Sequence, residues 1–431
     1  MLSTALTTAL PQIMTEFGIT AGTGQWLTSV YSLVMGILVL ATAFLIKRFK
    51  TKQLYLVSLA VFTLGLLLDA FTSSFAVMMV GRLLQAAGNG VLLSLGQVVL
   101  LTIYPRDKRG SIMGVYGLAV GAAPVVAPTI AGIIVDAFGW RMIFYLLLII
   151  STIALFLTAI AFENVLENER QEFDLWSFVL CSAGFSGVLY GMGNLGAHPF
   201  AGPYVLLPLI GGIVCCGLFV HRQLHMEKPF LELRILKVKK YAVAVIASMV
   251  LYACLMALAV LLPLYIQNLC GYSATVSGLV TMPGSLAMAF ISPAAGKVYD
   301  KMGMRHIFVT GAALMTVSCL GMAFMGTGTS MVVVAAWNVV RNISTGLLMM
   351  PLVTWGMSGL SEKDTGHGTS LLTSLRTAAG AFGAAVFMAL ASAVSARSCE
   401  SAGMSAAFAG LGALGMVLLA LAAYAAIKIR E

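Results

Sequence analysis

Arg82, Gln85 and Asn89 lie within "MMVGRLLQAAGNGVLLSLGQVVL" (78–100), a run apolar enough for a bilayer. Their spacing of i, i+3 and i+7 sets them on one face of a helix. A charge at the centre of a membrane helix costs at least about 2.5–3.5 kcal/mol, so it must meet a partner or a wet cavity. Arg341 with Asn338 and Asn342, and Arg376 in "TSLRTAAGAFG", pose the same problem. One reading makes these residues a polar wall that touches a substrate or a coupling ion. The other makes them arginines bonded to backbone carbonyls that only lock helices together. The spacing leaves both open. Carboxylates are scarce in the apolar runs. Of the sixteen Asp and Glu, only Asp69 falls within one, near the outer end of the third span. It is the one candidate for a titratable proton carrier, and its alternative role is to cap the turn at "TSSF". None of the five His is expected in a span.

The elements that position these residues follow from composition. The chain has 431 residues, 60% hydrophobic and only 10% charged, with a mean hydropathy of +0.98. A soluble domain cannot hide that much apolar surface, so the class is an all-α polytopic membrane protein. A crossing helix needs about 20 apolar residues. Thirteen runs qualify, and "MLSTALTTALPQIM" before them is too short to span alone. Fourteen spans are therefore expected, with the first truncated at Met1.

The formal net charge of +9 does not point to nucleic acid, because no basic stripe with interleaved aromatics is present. The Lys and Arg cluster instead in alternate loops, including 47–52, 106–109 and 222–240. Arg141 and Arg397 alone fall in the opposite loops. That asymmetry makes the basic loops and the C-terminus cytoplasmic. The seven Cys form no CxxC pair and have no His at metal spacing, so neither a metal site nor a disulfide frame is expected. No nucleotide-binding GxxxxGK[ST] is present, nor any nucleophile–base pair, so an enzyme is not expected.

The chain repeats weakly. "ALPQI" (9–13) is echoed by "LLPLYI" (261–266), "AFLIKRFKTK" (43–52) by "GKVYDKMGMR" (296–305), and Arg82 by Arg341, at offsets of 252, 253 and 259. The expected division is a six-helix half over 1–162, two linker helices with their cytoplasmic loops over 163–240, and a second six-helix half over 241–431. Parallel halves of this kind hold a binding site at their interface near the midplane.

Two segments suit moving parts. "GLAVGAAPVVAPTIAG" (117–132), with Gly121, Pro124, Pro128 and Gly132, reads as a pivot or as a kinked packing helix. "GKVYDKMGMR" reads as a short inner loop in which Gly296 allows close packing. Asp300 there accepts from helix N-terminal amides or pairs with Lys301 or Arg305, acting as a latch or as an ordinary charged turn.

These segments resemble the major facilitator superfamily, specifically its fourteen-span drug:proton antiporters of the bacterial lincomycin-resistance type. "GRLLQAAGNG" is similar to the span-4 motif, with Arg82 on the motif arginine. "APVVAPTIAG" is similar to the span-5 antiporter motif, and "SPAAGKVYDKMGMR" to the loop motif between second and third spans, which brings in Arg305. The sequence departs from that pattern. Leu2 or Ser3 stands where an acidic residue is common in span 1. Ala43 and Lys47 replace a motif Gly and Asp, and Ala127 and Ala131 replace two glycines. The resemblance implies a monomeric exporter of small amphipathic drugs in the bacterial cell membrane, working by alternating access with a proton gradient and no bound cofactor. The alternatives are export of a metabolite, peptide or lipid on the same fold, or a non-transporting remnant.

Overall fold

The computed structural model describes residues 2–19, 21–166, 174–194, 202–226, 229–361, 364–395 and 397–429. Among these it holds fourteen α-helices and no strand. In chain order they are α1 (Leu2–Phe17), α2 (Ala21–Arg48), α3 (Thr51–Phe71), α4 (Phe75–Ile103), α5 (Arg109–Phe138), α6 (Arg141–Ala161) and α7 (Leu175–Gly193). Then come α8 (Pro203–His225), α9 (Lys239–Leu264), α10 (Ala274–Met302), α11 (Met304–Ala323), α12 (Met331–Met357), α13 (Thr365–Ser395) and α14 (Glu400–Lys428). An all-helical plan is what lipid demands, because a helix satisfies its backbone polar groups within itself.

Among the described residues, twelve helices are long and apolar enough to cross a membrane. α1 has 16 residues, and α5 includes residues 121–129, whose side chains lie outside those described. Among the first six helices, α3 packs on α4 and α6, α2 on α4, and α1 on α5. Among the last six, α10 packs on α12, α11 on α14, and α9 on α13. α7 and α8 form a hairpin, and α7 packs it on α2 and α13. α6 and α8 are the helices least buried, and they present Phe156 and Ile213 outward. That is a lipid face, since apolar side chains exposed in such rows have no place in water.

The helices run past their apolar stretches, and this corrects two expectations. The segment 296–302 is not a loop but the last turns of α10, and Gly303 alone joins it to α11. The φ of 72° at Gly303 is the left-handed conformation that suits glycine after a helix. Histidines are also found within helices. His225 ends α8, His306 lies in the first turn of α11, and His367 opens α13 with 1% of its surface exposed.

α9 ends unusually. Pro263 lies inside it, and the chain continues as a π turn over Tyr265–Leu269. Proline removes a backbone donor, and a wider turn absorbs the mismatch. The Tyr265 hydroxyl donates to Gly326 O at 2.7 Å and pins the distorted end.

Candidate functional site

The first polar cluster joins α2, α3 and α4. Arg82 is fully buried. Its Nε donates to Leu27 O at 3.2 Å and its Nη1 to Gln85 Oε1 at 2.8 Å. Gln85 Nε2 then donates to Asp69 Oδ2 at 2.8 Å. Gln85 thus turns its acceptor to the cation and its donors to the anion, the one amide orientation that serves both. The guanidinium carbon lies 4.2 Å over the Tyr31 ring, and Asn89 Nδ2 donates to the Tyr31 hydroxyl at 2.9 Å. Arg82 and Asn89 therefore reach α2, while Gln85 between them reaches Asp69 on α3. Asp69 does not cap the "TSSF" turn, because Thr72 Oγ1 accepts there from Ser74 N at 3.0 Å.

Glycines allow this convergence. A Cβ on Gly65 would lie 2.6 Å from Gly81 O, and one on Gly81 would overlap Asp69 Oδ1. Two polar atoms of this cluster remain buried without a partner among the described residues, Asp69 Oδ1 and Arg82 Nη2. Such groups cost free energy in a low-dielectric interior.

The second cluster lies on α12. Arg341 Nη2 donates to Asn338 Oδ1 at 3.0 Å. Asn342 Nδ2 donates to Asn338 O and Oδ1, and Asn338 Nδ2 reaches Thr281 O on α10 at 3.2 Å. Arg341 Nε and Nη1 have no partner among the described residues. Arg376, on α13, sets its guanidinium carbon 5.5 Å from the Tyr252 ring centre on α9, and its Nε is likewise unpartnered. Arg82, Arg341 and Arg376 line none of the described cavities. They sit on separate helices, and no hydrogen bond joins one to another.

The third cluster joins the first six helices to the last six. Asp300, on α10, accepts from Gly110 N at 2.8 Å and Ser111 N at 2.7 Å, and from the Ser111 hydroxyl. Of the partners open to it in the sequence, Asp300 takes helix N-terminal amides, those of α5. Arg305 stands instead in the first turn of α11. The backbones meet because both helices carry glycine. A Cβ on Gly110 would lie 2.7 Å from Gly296 O, and one on Gly296 would overlap Gly110 O. Ser292 donates to Gly114 O at 3.2 Å in the next turn. Gly132 is half-buried on α5. The side chains of Gly121, Pro124 and Pro128 lie outside the described residues.

Among the described residues, the remaining hydrogen bonds between the two helix sets are Ser94 with Ser370 at 3.0 Å and Thr373 with Gln97 at 3.5 Å, linking α4 to α13. All of these lie toward the end of the bundle that carries the Lys and Arg clusters. The chain matches the Major Facilitator Superfamily model over residues 1–384. The chain belongs to that superfamily.

Relatives agree. The uncharacterized MFS-type transporter YcnB of Bacillus subtilis is 35% identical over 389 residues, spanning 90% of this chain and 82% of that protein. The lincomycin resistance protein LmrB of Listeria innocua is 33% identical over 390 residues, 90% of this chain and 83% of that one. The riboflavin transporter RibZ of Clostridioides difficile is 27% identical over 385 residues, 89% and 83% respectively. Among solved structures, the human organic anion transporter MFSD10 superposes with a TM-score of 0.66 at 15% identity, covering 96% of this chain and 88% of that one. The chain is therefore a multi-pass membrane transporter of the superfamily, acting on small molecules, and not an enzyme.

Residues outside the sequence reading complete the picture. Gly110 and Ser111 carried no sequence signal, since their role is to offer backbone amides. Tyr31, in "QWLTSVYSL", is an aromatic whose hydroxyl and ring only tertiary packing puts to use.

Proposed function

We propose that the chain exports small amphipathic drugs across a bacterial plasma membrane, exchanging them for protons by alternating access. It is read as a monomer of fourteen spans with a cytoplasmic C-terminus. The halves are residues 1–162 and 241–431, with α7 and α8 between them. The observation that carries this reading is the bond of Asp300 to the N-terminus of α5. It ties one half to the other at a single end, where an alternating gate must open and close. A carboxylate at a helix N-terminus gains from the partial positive charge there, and the bond breaks as one unit when the halves rock apart.

Coupling is assigned to the Asp69–Gln85–Arg82 relay. Asp69 lies at the end of α3 away from the basic loops, so protons from outside reach it first. A proton on Asp69 Oδ1 neutralises the carboxylate and weakens its hold on Gln85 Nε2. Gln85 is then free to turn, and Arg82 loses its link to a compensating charge. The arginine's demand for another acceptor biases the first half toward a different packing. Cargo is placed near Arg341, Asn338, Asn342 and Arg376, where the unpartnered donors of Arg341 and Arg376 suit carbonyl and hydroxyl groups.

Drug cargo is supported by the resistance relatives. A metabolite cargo on the same fold is the second reading, and the riboflavin transporter supports it. Export from intact cells tests both. Cells carrying the chain should lose preloaded lincosamide or dye faster than cells without it, and an uncoupler should stop this. Loss of a vitamin-like metabolite instead would favour the second reading. Unchanged extrusion under uncoupler would rule out proton exchange.

A further inference from the structure

The three arginines within the spans differ in what the protein gives them. Arg82 bonds Leu27 O and Gln85 Oε1, and Arg341 bonds Asn338 Oδ1. Arg376 is 4% exposed, its Nε has no partner, and no described residue accepts a hydrogen bond from its guanidinium. Its neighbours are the Tyr252 ring, whose centre lies 5.5 Å from the guanidinium carbon, and the Tyr116 hydroxyl on α5, within electrostatic reach. An aromatic face is a weak substitute for an anion.

The sequence holds no anion to supply there. α13 packs on α2, α4, α7, α9, α12 and α14. The first five, and α13 itself, contain no Asp or Glu. α14 has only Glu400, its first residue, which follows the far end of α13 at Ser395, about 28 Å along the helix from Arg376. On α5, the stretch 121–129 reads "GAAPVVAPT" and has no acid. Asp136, the one acid in α5, lies about 30 Å beyond Tyr116. A backbone carbonyl can accept a hydrogen bond but cannot cancel a charge, and a buried charge without a counter-charge is costly.

Arg376 also stands where a cargo would meet it. Ser370 pairs with Ser94 at 3.0 Å, and Thr373 donates to Gln97 at 3.5 Å, both across the seam to α4. Arg376 is one turn further along the same side of α13, away from the basic end. Rocking the halves apart parts this face of α13 from α4 and uncovers the guanidinium.

We propose that Arg376 makes the transporter selective for amphipathic cargo bearing one negative charge, a carboxylate or sulfonate, which the guanidinium binds between α13 and α4. The inference rests on the reading of the chain as an exporter of amphipaths and narrows its cargo class. The planar fork suits a carboxylate bidentately. The rings of Tyr252 and Tyr116 supply aromatic surface beside it for the apolar body of the cargo. An inorganic anion would meet the charge but leave that surface uncovered, and a cation would be repelled.

The test uses the purified full chain in phosphatidylcholine nanodiscs. Dansyl-leucine, dansyl-leucinamide and dansylcadaverine, which are anionic, neutral and cationic, are titrated separately. Binding is read by energy transfer from tryptophan, with empty nanodiscs subtracted. The parent should bind dansyl-leucine about tenfold or more tighter than the amide, the scale of a charge-assisted bond. Arg376→Gln should bring the two within about twofold by weakening the acid and sparing the amide. Arg376→Lys should keep part of the preference, because it retains the charge and loses the fork. Without ligand, Arg376→Gln should not lower the unfolding midpoint, since it removes an uncompensated charge. An arginine that only locks helices would show a fall. Equal affinities in the parent, a preference for the cation, an unchanged preference in Arg376→Gln, a clear fall in its midpoint, or displacement of dansyl-leucine by equimolar chloride or phosphate would each overturn the proposal. Proton-driven extrusion of dansylcadaverine without binding of the acid would overturn it and leave the proposed function standing. Arg376-dependent binding of the acid without proton-driven export would support it and overturn the proton exchange.

Discussion

The Asp300 carboxylate on α10 takes the backbone N–H of Gly110 on α5 at 2.8 Å. The two residues are 190 positions apart in the chain, and no other carboxylate among the described residues bonds one helix set to the other. With Ser111 N added at 2.7 Å, one side chain satisfies two of the orphan amides that begin α5.

Replacing Asp300 by Asn keeps an acceptor but removes the charge. Charge-assisted bonds contribute about 1.5–3 kcal/mol, so the closed-to-open ratio should fall about tenfold or more. Ser292 is 2% exposed in the closed gate. A Cys placed at 292 in a background lacking the seven native Cys should be alkylated about ten times faster in Asp300→Asn. Equal rates would show that the bond does not hold the gate.

Asp69→Asn should uncouple transport from the proton gradient. Asn fills the same space and still accepts from Gln85, but it leaves the Arg82 guanidinium without its anion, so the unfolding midpoint is read alongside transport. Asn cannot take up a proton. Gradient-driven export should fall more than about tenfold, the scale of a lost general acid–base group, while drug exchange at equal pH across the membrane continues. Loss of exchange together with export would place Asp69 in the scaffold rather than in coupling.

How much of this was legible in the sequence depended on distance along the chain. The face of Arg82, Gln85 and Asn89 was visible because helical spacing is local. The partners of that face, Leu27, Tyr31 and Asp69, come from two other helices, and nothing local names them. Asp300 was visible as a lone acid beside glycines, and its partner was open among several. Its surroundings read as a loop because Lys297, Asp300 and Lys301 break the apolar run. Hydropathy detects only the stretch immersed in hydrocarbon, whereas backbone hydrogen bonding carries a helix on into the polar layer. His367 was misplaced outside the helices for the same reason.

A pH-dependent contact lies outside the spans, at Asp174. It accepts from Ser177 N at 3.2 Å, and from Arg222 Nε and Nη2 at 3.1 Å each, which ties the α7–α8 hairpin. Burial pushes its carboxyl up, but the bonds from Arg222 and Ser177 outweigh this and hold it below its ordinary value of 3.8. A lowered folded value means that the stabilisation is complete above the ordinary value and is lost as pH falls through the folded one. Asp174→Asn should lower the unfolding midpoint slightly at pH 7, by no more than about 1 kcal/mol for a half-exposed pair. The difference from the parent should shrink below about pH 4 as the parent's carboxylate takes up its proton. A gap that stays constant into acid would remove the ion pair as its cause.

The relay of Arg82 and Asp69 makes the most demanding prediction. Arg82→Ala leaves a buried carboxylate with Gln85 as its one partner, and breaking a buried charge pair costs about 3–5 kcal/mol. The unfolding midpoint should therefore drop sharply, and loss of export in this variant alone does not separate scaffold from function. Asp69→Asn in the same chain removes the uncompensated charge. The double variant should recover part of the loss, with a coupling of about 1–3 kcal/mol between the two positions. Four proteins measured by thermal unfolding close this cycle. Strict additivity would mean that Gln85 does not link the two charges and that the proton path through Asp69 has no lever on α4.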